Sequence, residues 1–223
     1  MMSCRRHLVE LFYDVLSPYS YISFKLLNQC SMQWKSMDLQ LRPVLVGGIF
    51  KEIGNQAPRI LPIRGKYMFE DLDRISGYYR IPFKLPKNIE QDFFAKGSVK
   101  AQRLLTYVQE ESPELLNGIS DEIFKRIWVD NVDISENKSL QEACEAAGLS
   151  STESSNALNE INHQSVKEGL KKATSYAIEC GVFGTPTYIL HRNGKKDMLF
   201  GTDRIFLLAH YLNEPWPVFP YDE

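Results

Sequence analysis

The chain has 223 residues, of which 43% are hydrophobic and 24% are charged, and its 26 basic and 28 acidic residues leave a net charge of −2. This near balance gives no indication of a nucleic-acid or charged-membrane partner. The longest apolar runs, such as residues 205–209, are far too short to span a membrane, and the length suffices for one large domain or two small ones.

Four cysteines are scattered along the chain without a Cys-x-x-Cys pair or a paired histidine spacing: Cys4, Cys30, Cys144 and Cys180. This pattern predicts reduced thiols in an intracellular compartment rather than a disulfide framework or a zinc site, so no metal is expected. No apolar core follows the basic residues near the N-terminus, so the sequence predicts no cleaved secretory signal.

The first quarter of the chain predicts the order β-α-β. Residues 9–16 are rich in β-formers and predict a buried strand. The Ser-Pro pair at residues 17–18 is typical of a helix start, and apolar residues then recur at helical spacing. Residues 38–46 alternate as a second strand would. The glycines at residues 47–48 are predicted to break that strand, and residues 54–58 to form a loop.

The middle of the chain, residues 63–182, predicts helices and no strand. The predicted helices are residues 68–79, a stripe through Ala101, Leu104, Leu105 and Val108, one opened by Pro113, and three started by Ser135, Ser151 and Ser165. Ser165 and Glu168 have the spacing of a capping box.

Strand character returns at residues 187–191 and 197–200. The Asn-Gly pair at 193–194 between them is the strongest short-range hairpin signal. Thr202 or Asp203 is predicted to cap a last helix. The order β-α-β, helices, β-β-α predicts an α/β fold, a thioredoxin-like domain with a large all-helical insertion. We assign residues 1–62 and 183–223 to the thioredoxin-like domain and residues 63–182 to the insertion.

Ser17 and Ser20 stand where a thioredoxin-type oxidoreductase carries its two sulfurs. Their hydroxyls cannot exchange disulfides, which excludes a dithiol oxidoreductase, but a helix N-terminus can stabilise a thiolate that another molecule brings. Lowering a thiol pKa from ~8.5 by about two units takes roughly 2.7 kcal/mol. The helix end supplies up to ~2 kcal/mol and a donated hydroxyl hydrogen bond about 1.5–3 kcal/mol. Ser17 is therefore predicted to activate a thiol, and a plain helix cap is the alternative.

Three further positions carry groups suited to a thiol peptide. In thioredoxin-like proteins a cis-proline at the position of Pro186 lies beside the active helix, and the preceding residue, here Thr185, pairs its backbone with a peptide or glutathione. Asp203 and the amides of residues 199–204 could bind the α-amino and α-carboxylate groups of a γ-glutamyl moiety. Asn55 could reach a ligand backbone from its loop. The alternatives are a proline at a strand start, a capping site and a solvated turn.

With these residues in hand, the chain closely resembles the kappa-class glutathione transferases. The resemblance covers nearly the whole chain and is carried by residues 9–20, 39–43, 54–55, 65–68, 183–186 and 198–204. It implies a homodimeric enzyme. The family shares its fold with bacterial 2-hydroxychromene-2-carboxylate isomerases and, more distantly, with DsbA, so a DsbA-like topology is expected.

The resemblance implies that Ser17 activates the sulfur of glutathione, the co-substrate, for attack on a small electrophile. The residues that it implies around the tripeptide are Ser17, Pro18, Tyr19, Asn55, Arg64, Thr185, Pro186, Thr202 and Asp203, with Arg64 at the glycyl carboxylate. The family often has an apolar residue at Thr185 and a serine at Thr202. The first contact runs through the backbone and the second keeps a hydroxyl, so the resemblance stands.

Two other hypotheses stay open. A glutathione-dependent isomerase would use the same sulfur site, whereas a non-catalytic thioredoxin-like binding module would have no tight glutathione site. The family is associated with mitochondria and peroxisomes, but no sorting signal in the chain selects either. The electrophile, peroxidase activity and the role of Cys180 are not determined by the sequence.

Overall fold

The computed structural model describes residues 6–216. Its helices and strands are, in chain order, β1 His7–Tyr13, α1 Pro18–Gln33, β2 Met37–Pro43, α2 Val46–Ile53, α3 Pro62–Tyr79, α4 Val99–Glu111, α5 Leu116–Lys125, α6 Asn137–Ala146, α7 Ser151–Glu160, α8 Gln164–Glu179, β3 Thr187–Arg192, β4 Lys195–Phe200 and α9 Ile205–Leu212. Residues 63–182 are called the helical segment below.

The four strands form one mixed sheet in the order β2-β1-β3-β4. β1 pairs in parallel with β2, with Leu11 opposite Leu41, and antiparallel with β3, with Leu11 opposite Tyr188. A parallel pair needs a crossover connection, which α1 provides. β3 and β4 form the predicted hairpin, and Asn193 and Gly194 both take the positive φ that its turn requires.

Both faces of the sheet are covered. Val9, Leu11 and Tyr13 of β1 point to one face and belong to a large core that also includes α1, α9 and most of the helical segment. Phe12 points to the opposite face. There it joins a smaller core beneath α2 and α8, formed with Val44, Ile49, Ala177, Val182 and Ile189. Because α1 follows β1, its start lies at the carboxyl end of this central strand.

Two predicted strand boundaries are wrong. β1 ends at Tyr13 rather than at residue 16, because the chain turns through residues 14–17 before α1 begins. β2 ends at Pro43 rather than at residue 46, and residues 47–48, which were predicted to break this strand, lie in the first turn of α2. The helix forms despite these glycines because Val44 and Ile49 are buried in the smaller core, and tertiary packing overrides weak local propensity.

Three predicted helix caps are displaced. Residue 136, not Ser135, precedes α6, and Ser165 lies inside α8, which starts one residue earlier. Ser151 is the first residue of α7, whereas Ser150 makes the capping box with Glu153: its Oγ accepts from the Glu153 N–H, and the Glu153 carboxylate accepts from the Ser150 N–H. Neighbouring serines offer the same chemistry, so the local pattern does not select the register.

The helical segment is described throughout and contains no strand, as predicted. The domain boundaries that we assigned next to it stay a prediction, and Cys4 lies outside the described residues. Within residues 6–216, no helix is long and apolar enough to cross a membrane, and no cluster of His, Cys, Asp and Glu could hold a metal ion.

Candidate functional site

Ser17 caps the N-terminus of α1. Its backbone is extended, with φ −89° and ψ 114°, and its Oγ accepts a hydrogen bond from the N–H of Ser20 at 3.2 Å. Pro18 opens the helix, and the first turn contains no acidic side chain. The Ser17 hydroxyl therefore stands where the helix dipole and the end of the helix favour an anion.

The loop before β3 meets this hydroxyl. The peptide bond between Thr185 and Pro186 is cis, and Ser17 Oγ donates a hydrogen bond to the carbonyl oxygen of Thr185 at 3.1 Å. The two residues are 168 positions apart in sequence. The loop of residues 183–186, called the cis-proline loop below, therefore meets the start of α1, as the sequence pattern predicts.

Asn55 joins the same loop from the other side. Its Nδ2 donates to the carbonyl oxygen of Phe183 at 2.8 Å, and its Oδ1 accepts from the N–H of Gln56 at 2.8 Å. The Phe183 ring in turn contacts the Phe200 ring, with centroids 4.4 Å apart. Asn55 thus links the loop at residues 54–58 to the cis-proline loop, and its contact with a ligand stays a prediction.

Thr202 does not cap α9, and neither does Asp203. Both lie in a 3₁₀ turn, and α9 begins at Ile205 without a side-chain cap. The buried Thr202 Oγ1 donates to the carbonyl oxygen of Tyr19 at 3.0 Å and shares a hydrogen bond with Ser23 Oγ at 2.9 Å. The prediction that Thr202 caps α9 is wrong because its hydroxyl binds residues of α1 instead. The local sequence does not indicate this contact.

The charged residues predicted at the site are exposed. Asp203 accepts a hydrogen bond from Nη1 of its neighbour Arg204 at 2.6 Å. Arg64, in the first turn of α3, is also exposed. Both side chains can therefore reach a bound ion without first losing a buried partner.

Two adjoining cavities open beside Tyr19. One has a volume of 360 Å³ and is mostly apolar, lined by Tyr19, Pro58, Ile63, Arg64, Tyr67 and Met68. The other has a volume of 300 Å³ and is lined by residues 54–58, 60–61 and 64, so Arg64 borders both. Their sizes suit a small ligand with one polar and one apolar part.

Tyr19 connects the first cavity to α3. Its hydroxyl donates to Oδ2 of Asp71 at 2.7 Å. Burial, together with the carboxylate of Asp71, raises the pKa of Tyr19 above its usual range, so the phenol stays protonated. Tyr19 therefore fixes the cavity wall and does not act as a base.

Sequence reasoning missed two buried polar residues behind Ser17. The carboxylate of Asp14 accepts hydrogen bonds from the N–H groups of Leu16 and Val46 and from the hydroxyl of Ser98, all at 2.9 Å. Gln102 of α4 binds the same stretch of chain. Their signal was a polar residue at the end of an apolar strand and another within an apolar helical stripe.

Two hydroxyls next to Ser17 are buried and have no partner within the described residues. They belong to Ser20, whose N–H binds Ser17 Oγ, and to Thr185, whose carbonyl oxygen accepts from it. Unpartnered buried hydroxyls are uncommon in native proteins. Both backbone partners of the Ser17 hydroxyl therefore carry an unsatisfied side chain.

Among residues 6–216, no cysteine lies in the first turn of α1. Cys30, Cys144 and Cys180 are all free thiols. Burial raises the pKa of Cys30 to about 12 and that of Cys144 to about 11, so neither forms a thiolate near neutral pH. Neither of these two thiols therefore supplies a nucleophile near neutral pH.

Residues 8–213 match the family model described as a DSBA-like thioredoxin domain. The chain is 44% identical over 208 residues to glutathione S-transferase kappa 1 from Homo sapiens, and the match covers 93% of this chain and 92% of that protein. The protein of the same name from Rattus norvegicus is 40% identical over the same length, with the same coverage. The chain belongs to the kappa-class glutathione S-transferase family. The resemblance predicted from its motifs is confirmed.

The fold of this kappa-class chain matches a solved structure of 2-hydroxychromene-2-carboxylate isomerase. The TM-score is 0.75, and the match covers 92% of this chain and 94% of that one at 22% sequence identity. At this identity the likeness shows the shared fold alone. The predicted fold class, a DsbA-like thioredoxin fold with helices inserted between β2 and β3, is confirmed.

Proposed function

We propose that this protein is a glutathione transferase in which Ser17 holds the glutathione sulfur as a thiolate. One observation carries the proposal: a hydroxyl caps helix α1 beside a cis-proline loop in a chain without a thiol at that position. The identity to the human and rat kappa-class enzymes gives the same reaction class. The enzyme would therefore supply an anion site, and glutathione the nucleophile.

The chemistry at Ser17 requires one rearrangement. The hydroxyl proton is donated to the Thr185 carbonyl oxygen, whereas a bound thiolate needs that proton for its own hydrogen bond. Rotation of the hydroxyl redirects the proton to the sulfur, and the helix N-terminus adds its favourable potential. The thiolate electron pair then forms a carbon–sulfur bond with the electrophile. The leaving group departs with its bonding pair, or a conjugate acceptor takes up the charge and then a proton.

We assign the rest of glutathione to the site residues that the resemblance implies, of which Tyr19, Asn55 and Arg64 line the cavities. Asp203 suits its α-amino group, and Arg64 suits the glycyl carboxylate at the boundary of the cavities. The backbone of Thr185 beside Pro186 suits the cysteinyl peptide group. Pro18 and Tyr19 line the sulfur end, and Asn55 and Thr202 hold the surrounding loops through their own hydrogen bonds. The electrophile would then occupy the apolar cavity.

The test is glutathione binding by calorimetry together with the ultraviolet thiolate band, in the wild type, Ser17→Ala and Ser17→Thr. We expect the wild type to bind glutathione as a thiolate near neutral pH. Loss of one hydroxyl hydrogen bond to an anion should raise the midpoint of the thiolate band in Ser17→Ala by about one to two pH units. Ser17→Thr retains a hydroxyl and should stay close to the wild type.

The outcomes separate the hypotheses. A wild type that does not bind glutathione contradicts the proposal and leaves a thioredoxin-like binding module. Binding with the same thiolate titration in Ser17→Ala keeps glutathione but removes Ser17 from its role. If the thiolate forms, a panel of aryl halides, peroxides and a 2-hydroxychromene-2-carboxylate separates transferase, peroxidase and isomerase activity.

We further propose a homodimer. Four exposed apolar side chains among those that line the cavities lie close together in sequence, namely Ile60, Leu61, Ile63 and Tyr67, with exposed fractions of 57%, 48%, 73% and 61%. A second copy is the occupant that the resemblance implies, and the mitochondrial or peroxisomal location that it also implies stays a prediction. Sedimentation equilibrium should give twice the chain mass of 25.7 kDa, and a monomer at micromolar concentration would contradict the dimer.

A further inference from the structure

The position of the Ser17 hydroxyl depends on a short turn, residues 13–17, which we call the Ser17 turn. Within it, the Ser17 N–H donates to the Asp14 carbonyl oxygen at 2.9 Å, and the Leu16 N–H donates to the Asp14 carboxylate at 2.9 Å. These bonds close the turn but do not attach it to the rest of the molecule. Its orientation must come from contacts with other elements.

The helical segment provides those contacts. Nε1 of Trp128 donates to the Val15 carbonyl oxygen at 3.0 Å, and the hydroxyls of Tyr13 and Ser120 share a hydrogen bond at 2.6 Å. The side chains of Trp128, Tyr13 and Ser120 are fully buried, with 0% exposure. The turn that carries Ser17 is thus held by a part of the chain more than 80 residues away in sequence.

Gln102 of α4 makes two hydrogen bonds with this turn and one with the residue directly after β2. Its Nε2 donates to the carbonyl oxygens of Tyr13 at 3.1 Å and Val44 at 2.6 Å, and its Oε1 accepts from the Val15 N–H at 3.4 Å. Its side chain is 0% exposed. A primary amide has two N–H donors and a carbonyl acceptor, so this one side chain satisfies backbone groups at the ends of both β1 and β2.

We propose that Gln102 is a positioning residue: its amide, reaching from the helical segment, fixes the direction in which the Ser17 hydroxyl meets the glutathione sulfur. The inference rests on the proposed thiolate function. Hydrogen bonds weaken steeply when distance or angle departs from the optimum, so a loosened Ser17 turn gives a poorer bond to the anion even though Ser17 itself is intact. The helical segment then does more than enclose the electrophile.

The test variant is Gln102→Met, which keeps the length and helix propensity of the side chain but removes all three hydrogen bonds. The measurement is the ultraviolet thiolate band of bound glutathione as a function of pH. We expect the midpoint to rise by about one pH unit, a roughly tenfold loss of thiolate at a fixed pH below it. Near-ultraviolet and far-ultraviolet circular dichroism establish that the variant is folded.

Gln109→Met is the matched control. Gln109 lies on the same helix, is half-buried and donates through Nε2 to a strand carbonyl, that of Leu41 at 3.0 Å, but it does not contact the Ser17 turn. A merely structural role predicts thermal destabilisation in both variants, larger in Gln102→Met because it loses three hydrogen bonds rather than one, and no change in the thiolate titration in either. Our proposal predicts a shift for Gln102→Met alone.

The outcomes are distinguishable from those of the proposed function. If the wild type forms no glutathione thiolate, the function fails. If the wild type forms it and Gln102→Met titrates identically, or Gln109→Met shifts as much, the positioning role is overturned. Should Gln102→Met not fold, Trp128→Phe removes the separate bond to Val15 while keeping an aromatic ring, and it must raise the same midpoint for the proposal to stand.

Discussion

Two buried carboxylates, one within β1 and one directly after its end, have different surroundings. Glu10, on the face beneath α8, is 1% exposed and binds ionisable partners: Arg42 Nε at 2.7 Å, His191 Nε2 at 2.6 Å and the Tyr176 hydroxyl at 3.1 Å. Asp14, behind Ser17, is 0% exposed, and its three donors are two backbone N–H groups and a hydroxyl. The partners of Glu10 compensate its negative charge, whereas Asp14 fixes the backbone around it.

The pKa values of the two carboxyl groups consequently shift in opposite directions. Burial alone would raise the pKa of Glu10, but its bonds to His191, Arg42 and Tyr176 outweigh burial and hold that pKa below its usual range. At Asp14 burial dominates over the hydrogen bonds and raises the pKa. The lesson is that the region behind Ser17 uses uncharged, directional donors. Such donors position a turn without a charged side chain as partner.

The largest effect that tests this comparison should come from Asp14→Ala. The change leaves the N–H groups of Leu16 and Val46 and the hydroxyl of Ser98 without their acceptor, and each unsatisfied buried donor costs about 1–3 kcal/mol. We expect the free energy of unfolding in urea to fall by about 3 kcal/mol or more. A loss below about 1 kcal/mol would mean that water or neighbouring groups replace the carboxylate, and the contrast with Glu10 would collapse.

Glu10→Gln should cost less, about 2 kcal/mol near neutral pH, because Gln keeps one acceptor and the partners of Glu10 are partly solvated. The pH dependence gives the sharper test. A lowered pKa in the folded state contributes stability that is present above the unfolded value of 4.5 and is lost as the pH falls through the folded pKa. The difference between wild type and Glu10→Gln should therefore shrink below pH 4.5.

Asp14→Asn serves as the opposite control. Because the folded pKa of Asp14 is raised above 3.8, the stability of the wild type relative to this variant should be largest below that pH and decline as the pH rises. Urea unfolding of both variants between pH 3 and pH 7, a range set by these pKa values, follows the two differences side by side. Differences that change with pH in the same sense would contradict the assigned surroundings.

The sequence predicted those parts of the fold that rest on local chemistry. The helix start at Ser17, the hairpin turn at residues 193–194 and the helical stripe through Leu104 and Val108 follow from capping, positive φ and periodicity, all of which act within a few residues. The sequence-based prediction was wrong at residues 47–48. There the burial of Ile49 against residues far away in sequence stabilises a helix. Local signals do not contain that information.

The site shows the same division. Ser17 and Pro186 could be named because each stands in a recognisable local pattern, and the resemblance then supplied the rest. Thr202, Asp14 and Gln102 each bind a residue 84 to 183 positions away, so their roles depend on how the chain packs. A polar residue in an apolar stripe marks such a position but does not reveal its partner.

The smallest expected effect concerns the unpartnered hydroxyls. Ser20, beside Ser17, and Ser154, on α7, are both 0% exposed, and within residues 6–216 neither Oγ has a hydrogen-bond partner. Removing a buried hydroxyl that binds nothing relieves a desolvation cost, and alanine favours helix slightly more than serine does. We expect Ser20→Ala and Ser154→Ala each to raise the free energy of unfolding in urea by about 1 kcal/mol.

Comparing Ser20→Ala with Ser154→Ala separates a general property of unpartnered buried serines in this fold from a property specific to the site at Ser17. Equal gains would mean that the Ser20 hydroxyl, like that of Ser154, contributes nothing to the isolated protein. A gain for Ser154→Ala with a loss for Ser20→Ala would show that the Ser20 hydroxyl is satisfied in solution, beside the Ser17 Oγ that accepts from the Ser20 N–H. In that case the hydrogen bonds behind Ser17 would run from the Asp14 carboxylate to Ser20 with uncharged donors throughout, which would extend the contrast with the charged partners of Glu10.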